Sequence, residues 1–337
     1  MQFRRLFHIA LPHAGCLGLP PSAVSDRLRS SRNSSLVFLP TDSVADFIPQ
    51  HDFLVAIDSD GCVFDTMELK HKECFVPCFV NHYNLQAVSK FAREAWEFVN
   101  LYSRTRGVNR FPALLESLRW LQHWPEVIAR GVQIEIPAAL QTWVQAETRL
   151  GNPALEARVR ETNDPALAQC LVWSQAVNQA IDEMVRHVPP FPYVRESLER
   201  LDGQADRIVC SATPSDALRK EWAEHRIDCH VREICGQEQG TKKELLVRAK
   251  LYQSQHALMI GDALGDYTAA AAHDCLFFPI NPGAEDASWE RFFREGIDRL
   301  LGKRFAGDYQ ESLLNEFRTY LPEQPPWKLL EANAIQA

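Results

Sequence analysis

Phe53-Leu54-Val55-Ala56-Ile57-Asp58-Ser59-Asp60-Gly61 is the stretch on which the reading of this chain turns. Its first five residues are all apolar, with no polar residue alternating among them, as in a short strand buried on both faces. Parallel α/β sheets bind ligands just outside the carboxyl ends of their strands. Asp58 and Asp60 stand at that end, two positions apart, and so point to the same side of an extended chain. Asp, Ser and Gly also form turns, so the segment alone is equally compatible with a strand that simply ends.

A second carboxylate pair follows another short apolar run, Ala257-Leu258-Met259-Ile260, in the segment Gly261-Asp262-Ala263-Leu264-Gly265-Asp266. The order is strand, glycine turn, helix. Asp266 suits the first turn of the helix that follows, where the dipole favours negative charge. Asp262, at the strand tip, has no such local explanation. If the two tips meet, several carboxylates share one space, and they cannot all stay ionised without a cation. Hard oxygen ligands with no matching His cluster suggest Mg²⁺ rather than zinc.

Arg207-Ile208-Val209-Cys210 reads as a further strand, ending in Ser211-Ala212-Thr213-Pro214. The Ser211 hydroxyl and nearby backbone N–H groups can bind phosphate oxygens there, or Ser and Thr can cap the helix beginning near Asp216. Gly240-Thr241-Lys242-Lys243-Glu244 opens an amphipathic helix, and a lysine at that position is either a phosphate-binding point charge or a solvated surface group.

Four short motifs thus occur in a fixed order: DxD after a strand, Ser after a strand, Lys opening a helix, and GDxxxD after a strand. In this order they resemble the haloacid dehalogenase (HAD) superfamily of phosphohydrolases. Asp58, Asp60, Gly61 and Asp65 match that family's DxDGxxxD pattern, with Cys62 where many members carry Thr. The resemblance spans roughly residues 51–66 and 190–283. It implies Asp58 as nucleophile, forming an aspartyl-phosphate, and Asp60 as acid and then base. It implies Mg²⁺ held by the Asp58 carboxylate, the Asp60 carbonyl and the Asp262 carboxylate, with Asp266 supporting them. Ser211 and Lys242 would hold the phosphoryl group, Lys242 aligning better than Lys243 with the family's pattern. The family's dehalogenases and phosphonatases lack a carboxylate at the position of Asp60, so the resemblance implies C–O–P chemistry over either. The expected activity is a Mg²⁺-dependent phosphohydrolase for a small phosphorylated metabolite. The alternatives are a phosphomutase of the same superfamily and a catalytically retired binding protein that keeps the fold.

The chain has 337 residues, 46% of them hydrophobic, with a net charge of −8. That is ample for two cores, and the absence of a basic stripe argues against a nucleic-acid partner. No apolar run is long enough for a membrane span. Nine scattered cysteines read as reduced thiols, hence a cytoplasmic location. Residues 1–50 differ from the rest: Met1 to Ser25 contains no acidic residue, and the segment reads as a flexible extension, an over-extended start or a targeting sequence.

The fold expected is α/β: a Rossmann-like, doubly wound parallel sheet formed by residues 51–66 and 190–303, with a mostly α-helical cap inserted at 67–189 and a C-terminal helix and arm at 304–337. The insertion is far too long for a loop. It shows helical periodicity near 67–84, 88–103, 111–124, 137–149, 153–162 and 165–187, with a second hinge at Val188-Pro189-Pro190-Phe191-Pro192. Within it, Arg104, Arg106 and Arg110 flank Gly107 and can clamp an anionic group of the substrate, while Lys70 lies where the family often places a substrate-facing residue. His71, Cys74, Cys78 and His82 form a helical stripe about 16 Å long, too extended for one tetrahedral metal. The last segment, Pro322 to Ala337, is expected to be an arm packed on the core through Trp327, or else loose.

Overall fold

The run at 53–57 is the middle strand of a five-stranded sheet. The computed structural model describes residues 47–327 of the chain. Strands β1 (Phe53–Ile57), β2 (Ala205–Cys210), β3 (Glu233–Cys235), β4 (Ala257–Gly261) and β5 (Leu276–Pro279) are all parallel, in the order β3-β2-β1-β4-β5. The order reverses on either side of β1, which creates a crevice at its carboxyl end. β3 escaped the sequence reading because three residues carry no periodicity.

Burial on both faces explains the unbroken apolar runs. Val55, Ile57, Val209, Leu258 and Ile260 face one helical layer, where Leu198, Trp222, Trp289 and Phe292 cover them. Leu54, Ala56, Ile208 and Met259 face the other, against Leu245, Ala269, Ala270, Leu314 and Phe317. Successive residues of each strand thus enter opposite cores.

Between β1 and β2 the chain forms a separate helical body. One continuous helical stretch runs from Thr66 to His82, its middle, Lys70–Phe75, wound as a π-helix. Helices Ser89–Leu101, Arg110–Gln122, Ala138–Ala146, Asn152–Thr162 and Pro165–Met184 follow. Their own core holds Phe79, Trp96, Phe111, Trp143 and Trp173. His71 accepts a bond from Trp96 Nε1 at 3.0 Å and stacks on Phe75, so the His/Cys stripe serves packing. The strand leaving the sheet and the one returning to it touch: Phe64 bridges Pro190 antiparallel, and Phe191 N–H donates to the Val63 carbonyl at 2.9 Å.

The C-terminal arm differs from expectation. Trp327 stacks on Trp124 with ring centroids 4.1 Å apart and meets Phe98 and Trp120, all in the helical insertion. Of the segment expected to be a flexible extension, residues 1–46 lie outside the described residues, but Phe47 is buried, with the guanidinium groups of Arg232 and Arg248 over its ring. Among the described residues, no helix is long and apolar enough to cross a membrane, and eight cysteines are free thiols.

Asp206, fully buried in β2, ties the start of this body together. It accepts from the backbone N–H groups of Gln50 and His51, from Tyr252 Oη at 2.5 Å and from Arg232 at 2.7 Å. Burial alone would raise its carboxyl, but these donors outweigh it and hold the group below its ordinary range. A depressed carboxyl contributes stability above its unfolded value and loses it as pH falls through the folded one. Asp206→Ala should therefore cost about 3 kcal/mol at pH 7, read as a lowered denaturant midpoint. The difference from wild type should shrink below about pH 4.

Candidate active site

The register of the central strands decides what meets at the crevice. Ile57 lies level with Val209 and Ile260, so Ser211 and Asp262 sit one step beyond Asp58 on either side. The turn after Asp58 is fixed by side chains from the sheet's helical layer: Trp222 Nε1 donates to Ser59 Oγ at 3.0 Å and Trp289 Nε1 to the Cys62 carbonyl at 2.6 Å. Gly61 has φ +72°, and a Cβ there would lie 2.6 Å from both Arg106 Nη2 and Asp262 Oδ2. Only glycine fits.

Lys242 reaches this tip from the far side. Thr241 caps its short helix, with Thr241 Oγ1 accepting from the Glu244 N–H and Glu244 accepting from the Thr241 N–H at 2.7 Å. That reciprocal cap aims the next residue inward. Lys242 Nζ donates to Asp58 Oδ2 at 2.6 Å and to Asp266 Oδ1 at 2.5 Å. Lys243 is exposed. Asp266 Oδ2 accepts from the backbone N–H groups of Asp262 and Ala263, so both of its oxygens are engaged. A Cβ at Gly261 would strike the Asp266 carboxylate, hence the glycine at that turn.

Asp60 is held separately. Lys70 Nζ and Thr66 Oγ1 donate to its Oδ1, the former at 2.5 Å, and Thr213 Oγ1 to its Oδ2 at 2.6 Å. Burial pushes this carboxyl up, but Lys70 and the two hydroxyls outweigh that and bring it to about 2. Asp58 behaves oppositely: burial, with Asp266 and Asp262 nearby, raises it despite Lys242. Burial also raises Asp262 against the pull of Arg106, whose Nε donates to Asp262 Oδ2 at 2.6 Å.

The three arginines of the insertion do not act together. Arg106 is buried in the site. Arg104 is exposed and pairs with Glu323 of the C-terminal arm at 3.1 Å. Arg110 donates to Ser174 and Asn178 and lies over Phe75, stitching two helices of the insertion. The expected clamp is thus reduced to one residue, because the turn at Gly107 sends its neighbours away. Thr66, Thr213 and Glu221 were missed by the sequence reading. Thr213 lies in the Ser211 segment and Thr66 opens the first helix, positions that read as caps. Glu221 is half-buried; burial first, then Asp60, raises it to about 7.

Four carboxylates (Asp58, Asp60, Asp262, Asp266) therefore face three cations (Lys70, Arg106, Lys242), leaving one negative charge. Oxygens of Asp58, Asp262 and Asp266 lie within 4.8 Å of one another, the one such metal-competent group among the described residues. Among the described residues, Asp262 Oδ1 has no hydrogen-bond donor, and Asp58 Oδ1 has the Ser59 N–H alone. Hard, under-satisfied oxygens in a negative pocket fit a small divalent cation.

No family model matches the chain, and no curated protein matches it significantly. Solved structures similar to it include a haloacid dehalogenase-like family hydrolase from Streptococcus pneumoniae: 11% identity, TM-score 0.41, covering 71% of this chain and 90% of that one. A hydrolase from Pseudomonas syringae has 18% identity and TM-score 0.37, covering 71% and 89%. A HAD-superfamily hydrolase, subfamily IA, from Geobacter sulfurreducens has 16% identity and TM-score 0.34, covering 69% and 90%.

Lys242→Met leaves Asp58 and Asp266 buried without their shared cation. Thermal or denaturant unfolding at pH 7 should show a loss of about 3–5 kcal/mol. Asp58, already raised by burial, then loses the one cation that opposed that rise, so stability should recover as pH falls and Asp58 protonates.

Proposed function

We propose that this chain is a phosphomonoester hydrolase of the HAD type, acting on a small phosphorylated metabolite through an aspartyl-phosphate at Asp58. The observation that carries the reading is Lys242 Nζ bridging Asp58 and Asp266 beneath the strand tips, with Ser211 and Asp262 on either side. A lone carboxylate is a poor nucleophile toward a dianion. A shared ammonium and a divalent cation reduce the repulsion at that point.

Asp58, the Asp60 carbonyl and Asp262 would hold Mg²⁺, and Asp266 would orient them through its bonds to Lys242 and the 262–263 backbone. When bound, the ion supplies charge to the transferring phosphoryl oxygens. An Asp58 oxygen forms the new P–O bond as the ester P–O bond breaks, and Asp60 gives its proton to the departing oxygen. Water then attacks phosphorus, Asp60 takes the proton, and the Asp58–phosphate bond breaks to release inorganic phosphate. Asp60, held ionised beside Lys70 at rest, takes a proton from solvent when the ester binds, gives it up in the first half and regains one from the attacking water in the second. Ser211 and Lys242 hold the phosphoryl oxygens during both halves.

Phosphate release from p-nitrophenyl phosphate in Mg²⁺ tests this. Asp58→Asn should give none above background, and Asp60→Asn should lower kcat by about 10²–10⁴. Removal of divalent ions with EDTA should abolish turnover reversibly. Turnover persisting in Asp58→Asn would overturn the reading. A ³¹P spectrum showing isomerised sugar phosphate instead of free phosphate would assign the same site to a mutase.

A further inference from the structure

We propose that Arg106 sets the ion preference of this site by confining Asp262 to a single ligand oxygen. The inference rests on the reading above and adds a selectivity-determining residue, supplied by the helical insertion and not by the sheet.

Arg106 is buried, and each of its nitrogens has a distinct situation. Nε donates to Asp262 Oδ2 at 2.6 Å, Nη1 donates to the Leu101 carbonyl at 2.9 Å, and Nη2 is buried beside Gly61 with no partner among the described residues. An arginine free to choose would take a carboxylate with two parallel bonds, occupying both oxygens. Here the Leu101 anchor and the close approach of Gly61 hold the guanidinium so that one bond forms and Nη2 stays bare. That is costly for a buried donor, and it leaves Asp262 Oδ1 open.

The neighbouring carboxylates are restricted in the same way. Asp58 gives Oδ2 to Lys242, and Asp266 has neither oxygen to spare. No carboxylate in the group can offer two oxygens to one ion. Ca²⁺ takes six to eight oxygens and gains from two-oxygen carboxylates, whereas Mg²⁺ takes fewer and keeps water in its shell. Restriction to one oxygen per carboxylate therefore favours Mg²⁺. Of the two fully charged groups imposing it, Arg106 is the one whose loss frees an oxygen of Asp262.

Calorimetric titration of the full chain with Mg²⁺ and with Ca²⁺, in the absence of substrate, tests this. Wild type should bind Mg²⁺ more tightly than Ca²⁺. Arg106→Gln and Arg106→Met, either of which suffices if the other fails to fold, should move the Mg²⁺/Ca²⁺ affinity ratio toward Ca²⁺ by about tenfold. Arg106→Lys, which can still occupy one oxygen, should retain most of the preference. An unchanged ratio, an equal gain for both ions (the mark of an arginine that merely competes with cations), or no Mg²⁺ binding by wild type would overturn the proposal. Binding with the expected ratios but no phosphate release would instead count against the phosphatase reading alone.

Discussion

Neutralising buried negative charge at the carboxyl end of β1 is the constraint on which the rest of this structure depends. Asp58, Asp262 and Asp266 are all nearly inaccessible to water. Several such carboxylates in one low-dielectric pocket would together cost many kcal/mol if unpaired. Three cations from different parts of the chain answer that cost: Lys242 from the sheet domain, and Lys70 and Arg106 from the insertion. The backbone turns that bring them in are specialised for it. Thr241 and Glu244 cap the helix that delivers Lys242, and Gly61 leaves room for Arg106.

The sheet itself was largely legible because β1, β2 and β4 are buried on both faces and write that burial as continuous apolar runs. The positions of Asp58, Asp262 and Ser211 followed, since a parallel sheet fixes where strand tips lie. Lys242 over Lys243 was a choice of register in a helix cap, which the Thr-x-x-Glu pattern now explains. What the sequence did not disclose is orientation within loops. Arg104, Arg106 and Arg110 look alike on paper, yet a turn at Gly107 sends one into the site and the others to Glu323 and Ser174. Similarly, Trp327 as a lone aromatic carries no hint of its partner, and it lies on Trp124 beside Phe98 and Trp120, three rings of the insertion.

The division of charge between the two bodies has a consequence for how the site admits a ligand. The sheet domain alone brings four carboxylates and one lysine to the crevice, a net charge of minus three. A divalent cation would leave it at minus one, still repelling a phosphate dianion. With Lys70 and Arg106 in place the same site, were such an ion bound, would carry a net positive charge and favour a dianion. The insertion thus contributes two of the three cations that set the charge of the crevice. Three hydrophobic cores, one on each face of the sheet and one built around Trp96 and Trp173, must all be intact for the charges to meet. A core substitution in the insertion, far from any reacting atom, acts on the site through the positions of those two cations.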